Sequence, residues 1–256
     1  MSKKVQNKGR NPKKMLEDLL KGNFMPKGEP FHNKASKDYG VLMFHGLMGS
    51  PYQVRELGDF LYKQGIPNFG FCTVGHGTNK KDLIKTNRKD WLESATTAYQ
   101  EFNKVYPKTI VLGFSLGGLL ALNLSKEFNP KGTVTIAAPY NINIMGNLFA
   151  MTGFHKRNPE DMVRYLGMMP LKTKYEIIKF TEETKEVLPL IENPILIFQG
   201  TSDKKVSKNS SYKIYGNVKS KHKKVSNLIG EEHLILKGKY KKQVFNKIHD
   251  FILECI

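Results

Sequence analysis

A serine framed by glycines is the feature of this sequence with the clearest chemical potential. Residues 113–117 read Gly-Phe-Ser-Leu-Gly, which is a G-x-S-x-G motif centred on Ser115. The β-branched apolar run 109–112 before it predicts a buried strand, and residues 118–128 after it predict a helix with an apolar face. In that context the glycines leave room for a cramped turn that lifts the serine hydroxyl clear of the backbone. The turn also sets Ser115 near a helix N-terminus, where free N–H groups favour developing negative charge.

A serine hydroxyl is a poor nucleophile at neutral pH and needs a base within hydrogen-bond reach, together with a third group that orients the base. In open α/β sheets such groups lie where strands end at the C-terminal edge. We therefore expect the base and the acid in the loops that follow the late strands. Asp203 follows the apolar run 195–198, and His233 follows the run 223–228 that predicts the last strand. We therefore take Asp203 and His233 as the acid and base candidates.

Each candidate has alternatives. Ser115 could be an ordinary serine at a helix start, and Asp203 could cap a turn, with Glu231 or Glu232 as the acid instead. We favour His233 because it is the histidine in the loop directly after the last predicted strand. Of the six other histidines, His45 is interpreted as structural and His76 as a brace of its glycine loop. The remaining four lie in polar or terminal stretches: His32, His155, His222 and His249.

Alternating strands and helices carry these residues, which predicts a mostly parallel sheet covered by helices on both faces. Ser50 is predicted to cap the first helix of this core, with Pro51 in its first turn and Gln53 as the capping-box partner. A closing helix is expected along one apolar face that includes Val244 and Phe251. The predicted strands are 41–44, 66–72, 109–113, 133–137, 194–199 and 223–228.

Two segments depart from this rhythm. Residues 1–25 form a basic extension, in which Met15, Leu16, Leu19 and Leu20 could make one short amphipathic turn, although a frayed tail is the simpler expectation. Residues 26–256 are predicted to form one domain, with a helical insertion at about 140–193 over the sheet's C-terminal edge. The methionines in that insertion suit either packing or an adaptable acyl pocket; they are Met145, Met151, Met162, Met168 and Met169.

Composition limits the class of protein. The chain has 256 residues with 39% hydrophobic content, enough for one large domain, and no apolar run approaches the length needed to cross a bilayer. Two cysteines do not make a disulfide framework, and the polar N-terminus lacks a secretory signal pattern, so we expect a cytoplasmic protein. The histidines and cysteines lack metal-ligand spacing, and the glycines match neither a phosphate loop nor a dinucleotide fingerprint, so we expect no metal or cofactor.

The chain is strongly basic, with 41 Lys and Arg against 23 Asp and Glu and a formal net charge of +18. Such a field attracts anionic lipid surfaces, nucleic acid or acidic substrates. Because the lysines are scattered along the sequence, we interpret the charge mainly as coding bias towards AT-rich codons. Weak association with an anionic lipid surface is compatible with it, and we expect no specific nucleic-acid partner.

From about residue 30 to its C-terminus the chain resembles the α/β-hydrolase superfamily, especially small bacterial carboxylesterases and monoacylglycerol lipases. The resemblance rests on His-Gly-Leu-Met-Gly at 45–49, Gly-His-Gly at 75–77, the motif at 113–117, Asp203 and His233. It implies an α/β-hydrolase fold with a helical cap. It also implies that Ser115 is the nucleophile, His233 the general base and Asp203 the orienting acid, with the backbone N–H groups of Leu47 and Leu116 as the oxyanion hole.

The resemblance implies a serine esterase acting on a small ester with an apolar acyl chain, such as a monoacylglycerol or a lysophospholipid. The same three residues could serve a thioesterase, an acyltransferase or a peptidase, and the sequence does not separate these. The remaining alternative is a non-catalytic protein that keeps the fold and binds membrane or nucleic acid through its basic surface.

Overall fold

The computed structural model describes residues 21–142 and 169–256. Seven strands are present in these residues: β1 Phe31–Asn33, β2 Tyr39–Phe44, β3 Asn68–Phe71, β4 Lys108–Phe114, β5 Gly132–Ile136, β6 Ile195–Gly200 and β7 Lys223–Leu228. The helices are α1 Tyr52–Lys63, α2 Lys80–Lys85, α3 Arg88–Val105, α4 Leu116–Phe128, α5 Leu171–Val187, α6 Ser210–Asn217 and α7 Lys241–Cys255.

The strands form one sheet in the order β1-β3-β2-β4-β5-β6-β7. All neighbouring pairs from β3 to β7 run parallel, and only β1 pairs antiparallel, with β3. The predicted fold class, a mostly parallel sheet with flanking helices, is therefore confirmed. Strand β1 was not predicted, because three residues are too few to show an alternating pattern. Helices α2 and α6 were also not predicted.

The central strands are buried on both faces, both where they are continuous apolar runs, as in β6, and in β5, which reads Gly-Thr-Val-Thr-Ile. Every residue of β5 and β6 is buried, and α1 and α7 cover one face of the sheet while α3 and α4 cover the other. Helix α4 is buried almost all round, which a surface helix with a single apolar stripe would not be. The core therefore fixes the carboxyl ends of β2, β4 and β6 at one edge. None of the helices described here is long and apolar enough to span a lipid bilayer.

The predicted capping box of α1 is wrong. The N-cap of this helix is Pro51, with no side-chain cap hydrogen bond. The Ser50 hydroxyl instead donates to the carbonyl of Lys27 at 2.7 Å, and Gln53 Oε1 accepts from the backbone N–H of Gly46 at 2.9 Å. Both side chains therefore tie the helix start to neighbouring loops, a tertiary use that local sequence spacing does not reveal.

The predicted insertion at about 140–193 is described only in part. Helix α5 lies within that range and packs against α4, and it is held to the N-terminus of α3 by Arg88. The Arg88 guanidinium contacts Glu176 and Glu183, each at 2.8 Å. The predicted amphipathic turn at 15–20, His155, and four of the five methionines named for the insertion lie outside the described residues. The domain boundaries stay predictions.

Two buried imidazoles join the loops after β2 and β3. The His45 and His76 rings lie 5.2 Å apart, and His45 Nε2 accepts from the N–H of Thr73 at 3.1 Å. Its Nδ1 therefore carries the proton and donates to the Gly46 carbonyl at 2.9 Å. Burial, and then the neighbouring His76, lower the pKa of His45 to about 3; burial lowers the pKa of His76 to about 4.

These lowered pKa values predict a loss of stability in mild acid. Below its ordinary pKa of 6.5, an unfolded-state imidazole binds a proton that the folded state refuses. The stabilisation by neutral His45 and His76 is therefore complete above pH 6.5 and declines as the pH falls towards 4. At pH 5 we expect the free energy of unfolding to have fallen by about 2 kcal/mol for each imidazole, measured by urea titration.

The control compares His45→Gln with His222→Gln, since the His222 side chain is exposed. The gap in unfolding free energy between wild type and His45→Gln should narrow between pH 7 and pH 5. His222→Gln should follow the wild-type pH dependence. A gap for His45→Gln that stays constant over this range would contradict the assignment of a neutral, buried imidazole.

Candidate active site

Ser115 lies at the sharp turn between β4 and α4, with backbone angles φ 54° and ψ −114°. A non-glycine residue rarely adopts this conformation, so the surrounding structure must hold it in place. A Cβ atom added at Gly113 would collide with the Gly117 carbonyl, and one added at Gly117 would collide with the Phe44 carbonyl. The two glycines are therefore required by close backbone contact, and they leave the Ser115 side chain partly exposed at the edge of the sheet.

The structure brings Ser115, His233 and Asp203 together in one hydrogen-bonded row. His233 Nε2 lies 3.1 Å from Ser115 Oγ, and His233 Nδ1 lies 2.7 Å from Asp203 Oδ2. An ionised Asp203 places the ring proton on Nδ1, which leaves Nε2 to accept from the Ser115 hydroxyl. The His233 ring also packs against the Phe114 ring, with centroids 5.1 Å apart, and is only 8% exposed.

Asp203 is held ionised in the loop that follows β6. Its Oδ1 accepts from the backbone N–H groups of Lys205 and Val206, and its Oδ2 also accepts from Gln199 Nε2 at 3.0 Å. Burial acts to raise the pKa of this carboxyl, but the hydrogen bond and charge of His233, with the two backbone donors, outweigh it and lower the pKa below its ordinary 3.8.

The loop after β2 passes directly beside the serine. A Cβ atom added at Gly46 would lie 3.2 Å from Ser115 Cβ, and Met48 turns the chain with a φ of 58°. The Gly46 carbonyl accepts from the His45 ring and from the N–H of Gly49 at 3.0 Å. That carbonyl belongs to the same planar trans peptide as the N–H of Leu47, so both bonds fix the direction of that N–H.

The second predicted donor group, the N–H of Leu116, lies at the start of α4. The first N–H groups of a helix have no acceptor within the helix, so they are available to a ligand oxygen. Leu116 is the residue directly after Ser115, and its side chain is buried in the core. The turn and the helix start together therefore place this N–H next to the Ser115 hydroxyl.

Gln53 is a residue of this site that the sequence analysis assigned to a different role. Its Oε1 takes the N–H of Gly46, and the side chain fills the space where a Cβ at Gly49 would stand. The N–H of Gly46 is thereby used, and the loop is held from a second side. The only sequence signal was a glutamine in the first turn of the helix behind a glycine-rich loop, which local capping rules explain equally well.

The other candidates lie elsewhere. Glu231 is buried, but its carboxylate accepts from the N–H of Tyr240 at the start of α7, and Glu232 is exposed. His32 packs edge-on against Phe69 and Tyr106. His76 braces its loop through Val74, as predicted, and contacts the ring of Trp91. His222 is exposed, and His249 pairs with Asp250 on α7.

A cavity of about 290 Å³ opens between the loops after β2 and β3. Its apolar walls include Met25, Met48 and Leu83, and His76 and Asn79 contribute polar groups. Met48 directly follows Leu47, so the cavity adjoins the loop beside Ser115. Across residues 21–142 and 169–256, no three His, Cys, Asp or Glu side chains are grouped so that they could hold a metal ion.

Comparisons with known proteins agree with this geometry. A family model described as "serine aminopeptidase, S33" matches residues 35–157 and 147–239, which is more than half of the chain. A carboxylesterase from Bacillus subtilis (strain 168) is 24% identical over 236 residues, covering 88% of this chain and 96% of the relative. A thermostable monoacylglycerol lipase from Bacillus sp. (strain H-257) is 28% identical over 218 residues, covering 80% of this chain and 86% of the relative.

The fold is shared with a solved structure from a study of LipS and LipT, two metagenome-derived lipolytic enzymes. The TM-score is 0.79 at 21% identity, with 91% of this chain and 100% of that chain covered. This similarity shows the fold, and the family match shows the membership. The chain therefore belongs to the serine aminopeptidase S33 family of α/β-hydrolases, as a serine hydrolase of the carboxylesterase and monoacylglycerol lipase type.

Proposed function

We propose that the protein hydrolyses carboxylic esters with an apolar acyl chain, in two steps through an acyl-serine intermediate. Ser115 is the nucleophile, His233 the general base and Asp203 the residue that orients and charges the base. The observation that carries the proposal is the continuous row from Asp203 Oδ2 to His233 at 2.7 Å and from His233 to Ser115 Oγ at 3.1 Å.

In the first step His233 Nε2 takes the Ser115 proton while Oγ attacks the ester carbonyl. The negative charge that develops on the carbonyl oxygen is accepted by the N–H groups of Leu47, whose peptide is held through the Gly46 carbonyl, and of Leu116 at the start of α4. One such donor is worth about 2.7–4 kcal/mol of barrier in enzymes that use it. When the carbonyl re-forms, the alcohol leaves with the proton from His233, and the acyl group stays on Ser115.

In the second step a water molecule takes the place of the alcohol. His233 removes a proton from the water, the hydroxide oxygen attacks the acyl carbonyl, and the same two N–H groups bind the charge again. Collapse expels Ser115 Oγ, which regains its proton from His233, and a carboxylic acid is released. The ionised Asp203 stabilises the imidazolium during both steps without taking its proton.

The substrate class is inferred from the relatives and from the walls of the site. The two curated relatives are a carboxylesterase and a monoacylglycerol lipase. The cavity next to the loop after β2 is not lined by Ser115 or His233, but its walls include Met25, Met48 and Leu83, which suit a flexible hydrocarbon chain. Monoacylglycerols and lysophospholipids fit this description. The helical insertion at about 140–193 is proposed as the cap that shapes the acyl pocket, and the predicted cytoplasmic location is to be tested by cell fractionation.

A peptidase is the second candidate, because the family model that matches carries the description of a serine aminopeptidase. The same row of residues can attack an amide. Parallel assays with p-nitrophenyl esters and with aminoacyl p-nitroanilides separate the two activities, and the ester proposal requires a higher kcat/KM on the esters.

Replacing Ser115 by alanine should abolish turnover. We expect kcat/KM on p-nitrophenyl esters, from acetate to palmitate, to fall by about 10⁴-fold or more, since a nucleophile cannot be replaced by its neighbours. Labelling by a fluorophosphonate should also disappear. The matched control is Ser36→Ala, whose side chain is exposed, and it should react like the wild type. Hydrolysis that persists in the Ser115 variant would remove this residue as the nucleophile.

Asp203→Asn keeps the size of the side chain but removes its charge. We expect kcat to fall by about 10³–10⁴-fold at neutral pH, because the amide no longer fixes the Nδ1–H tautomer or stabilises the imidazolium. Because the pKa of Asp203 is lowered, its charge persists through mildly acid pH.

The control for this variant is Asp250→Asn, since Asp250 lies exposed on α7. It should leave kcat unchanged, and both proteins should remain folded by circular dichroism. An Asp203→Asn variant with wild-type kcat would show that another group orients the histidine.

Gln53 is proposed as a positioning residue for the loop that carries Leu47. Gln53→Leu removes the acceptor for the Gly46 N–H, whereas Gln53→Glu keeps an oxygen there. We expect Gln53→Leu to lower kcat by about tenfold or more with little change in KM, because a small displacement of a donor is costly in the transition state. Gln53→Glu should recover most of the rate.

The matched control is Gln64→Leu at the exposed end of α1. It should keep both constants, and thermal unfolding of all three variants separates misfolding from mispositioning. If the leucine and glutamate variants of Gln53 lose activity equally, the acceptor oxygen is not what matters.

A further inference from the structure

Three exposed apolar side chains lie on the outer surface of α2 and α5. Leu171 is 82% exposed, Tyr175 is 56% exposed and Ile84 is 38% exposed. Leu171 and Tyr175 are four residues apart, so they share one face of α5. Lys172 Nζ donates to the carbonyl of Ile84 at 2.7 Å, which joins the first turn of α5 to the end of α2. The three residues therefore belong to one surface, which we call the basic apolar face.

Lysines surround these apolar residues. The ammonium group of Lys179 lies 5.7 Å from the centre of the Tyr175 ring, and Lys172 bridges to α2. Four acidic residues nearby are paired with cations: Glu176 and Glu183 with Arg88, Glu182 with Lys185, and Asp82 with Lys85. Helix α2 and the first half of α5 carry six lysines, of which Lys174 is only partly exposed: Lys80, Lys81, Lys85, Lys172, Lys174 and Lys179.

The face lies at the same edge of the sheet as the catalytic candidates. Helix α2 follows the loop after β3, where His76 packs against His45, and His45 follows β2 next to the loop beside Ser115. The cavity described above is lined by Lys80 and Leu83 of α2 together with Met48. A surface bound to this face would therefore lie close to the opening of the site.

We propose that the basic apolar face docks the protein on an anionic lipid bilayer. Lysines around a protruding leucine and an amphipathic tyrosine suit the interface of such a membrane, where the apolar groups enter the headgroup region and the ammonium groups contact anionic headgroups. Each lysine near an anionic surface contributes about a fivefold factor in binding. The proposal goes beyond ester hydrolysis and does not require it, although it would place the site next to lipid-derived esters.

A second copy of the chain is a poorer occupant. A two-fold interface would bring this lysine-rich surface against its own copy, and opposed like charges disfavour such an association. Nucleic acid would also match the charge, but it offers no apolar phase for a leucine that is 82% exposed. The leucine and the tyrosine thus favour lipid over the other two occupants.

The test is co-sedimentation of the full chain with vesicles. Wild type should bind vesicles of equal parts phosphatidylglycerol and phosphatidylcholine, and should bind phosphatidylcholine alone much more weakly. The double variants Leu171→Glu with Tyr175→Glu, and Lys81→Glu with Lys179→Glu, should each lose about tenfold or more of this affinity. Sedimentation does not depend on turnover, so this test is independent of the proposed ester hydrolysis, and circular dichroism shows whether each variant is folded.

Two controls separate this face from the overall charge. Lys221→Glu with Lys242→Glu makes the same change in net charge at exposed lysines elsewhere, and Leu253→Glu alters an exposed leucine on α7. Both should bind vesicles nearly as the wild type does. Equal losses in the control and the face variants would overturn the proposal in favour of general charge attraction. If the wild-type protein bound single-stranded RNA and did not bind vesicles, the membrane proposal would be overturned in favour of nucleic acid.

Discussion

The structure depends on the close contact of backbone at the turn between β4 and α4. The Gly113 and Gly117 positions touch neighbouring carbonyls so closely that neither has room for a Cβ atom. This contact holds Ser115 at a φ of 54°, a conformation that the residue would not adopt alone. The Ser115 hydroxyl and the start of α4 are consequently fixed relative to β2, and the loop after β2 can lie against them. The backbone contacts of the fold therefore set the positions of the Ser115 hydroxyl and the start of α4.

Burial determines the charge states around that turn. The site keeps one carboxylate ionised because backbone N–H groups and the His233 ring compensate Asp203 for its lost hydration. In the loops after β2 and β3, His45 and His76 receive no such compensation from an acid, and they stay neutral. Neutral His45 is useful in a different way, because its Nδ1–H holds the Gly46 carbonyl and thereby the peptide of Leu47. The imidazoles of His233 and His45 therefore take different roles because one faces a carboxylate and the other does not.

Most of the architecture could be predicted from the sequence because most central strands are apolar runs. Glycine or proline separates these strands from the helices between them. The boundaries of β7 were predicted to the residue, and β4 extended only one residue further at each end than expected. The row of Ser115, Asp203 and His233 was predictable in its members because each follows a strand that ends at the same edge. Its distances were not, since they depend on how the loops after β6 and β7 pack.

The errors have a common cause. Ser50 and Gln53 fit a local capping pattern, but each has its partner outside the helix, Lys27 for the serine and Gly46 for the glutamine. Strand β1 was missed because its three residues are too few to show an alternating pattern, although Phe31 packs into the core and the strand pairs with β3. The lysines of α2 and α5 lie far apart along the chain, although the fold brings these two helices together. Interactions of high sequence separation are what a reading of local patterns omits.

The most direct test of the account is to trap the acyl group on its residue. The protein is mixed with a p-nitrophenyl ester, quenched in acid during turnover, digested, and mapped by mass spectrometry. The account predicts that the acyl mass is carried by the peptide that contains Ser115, and that it accumulates with the release of p-nitrophenol. An acyl group on another residue, or turnover at full rate with no acylated peptide at any quench time, would contradict it.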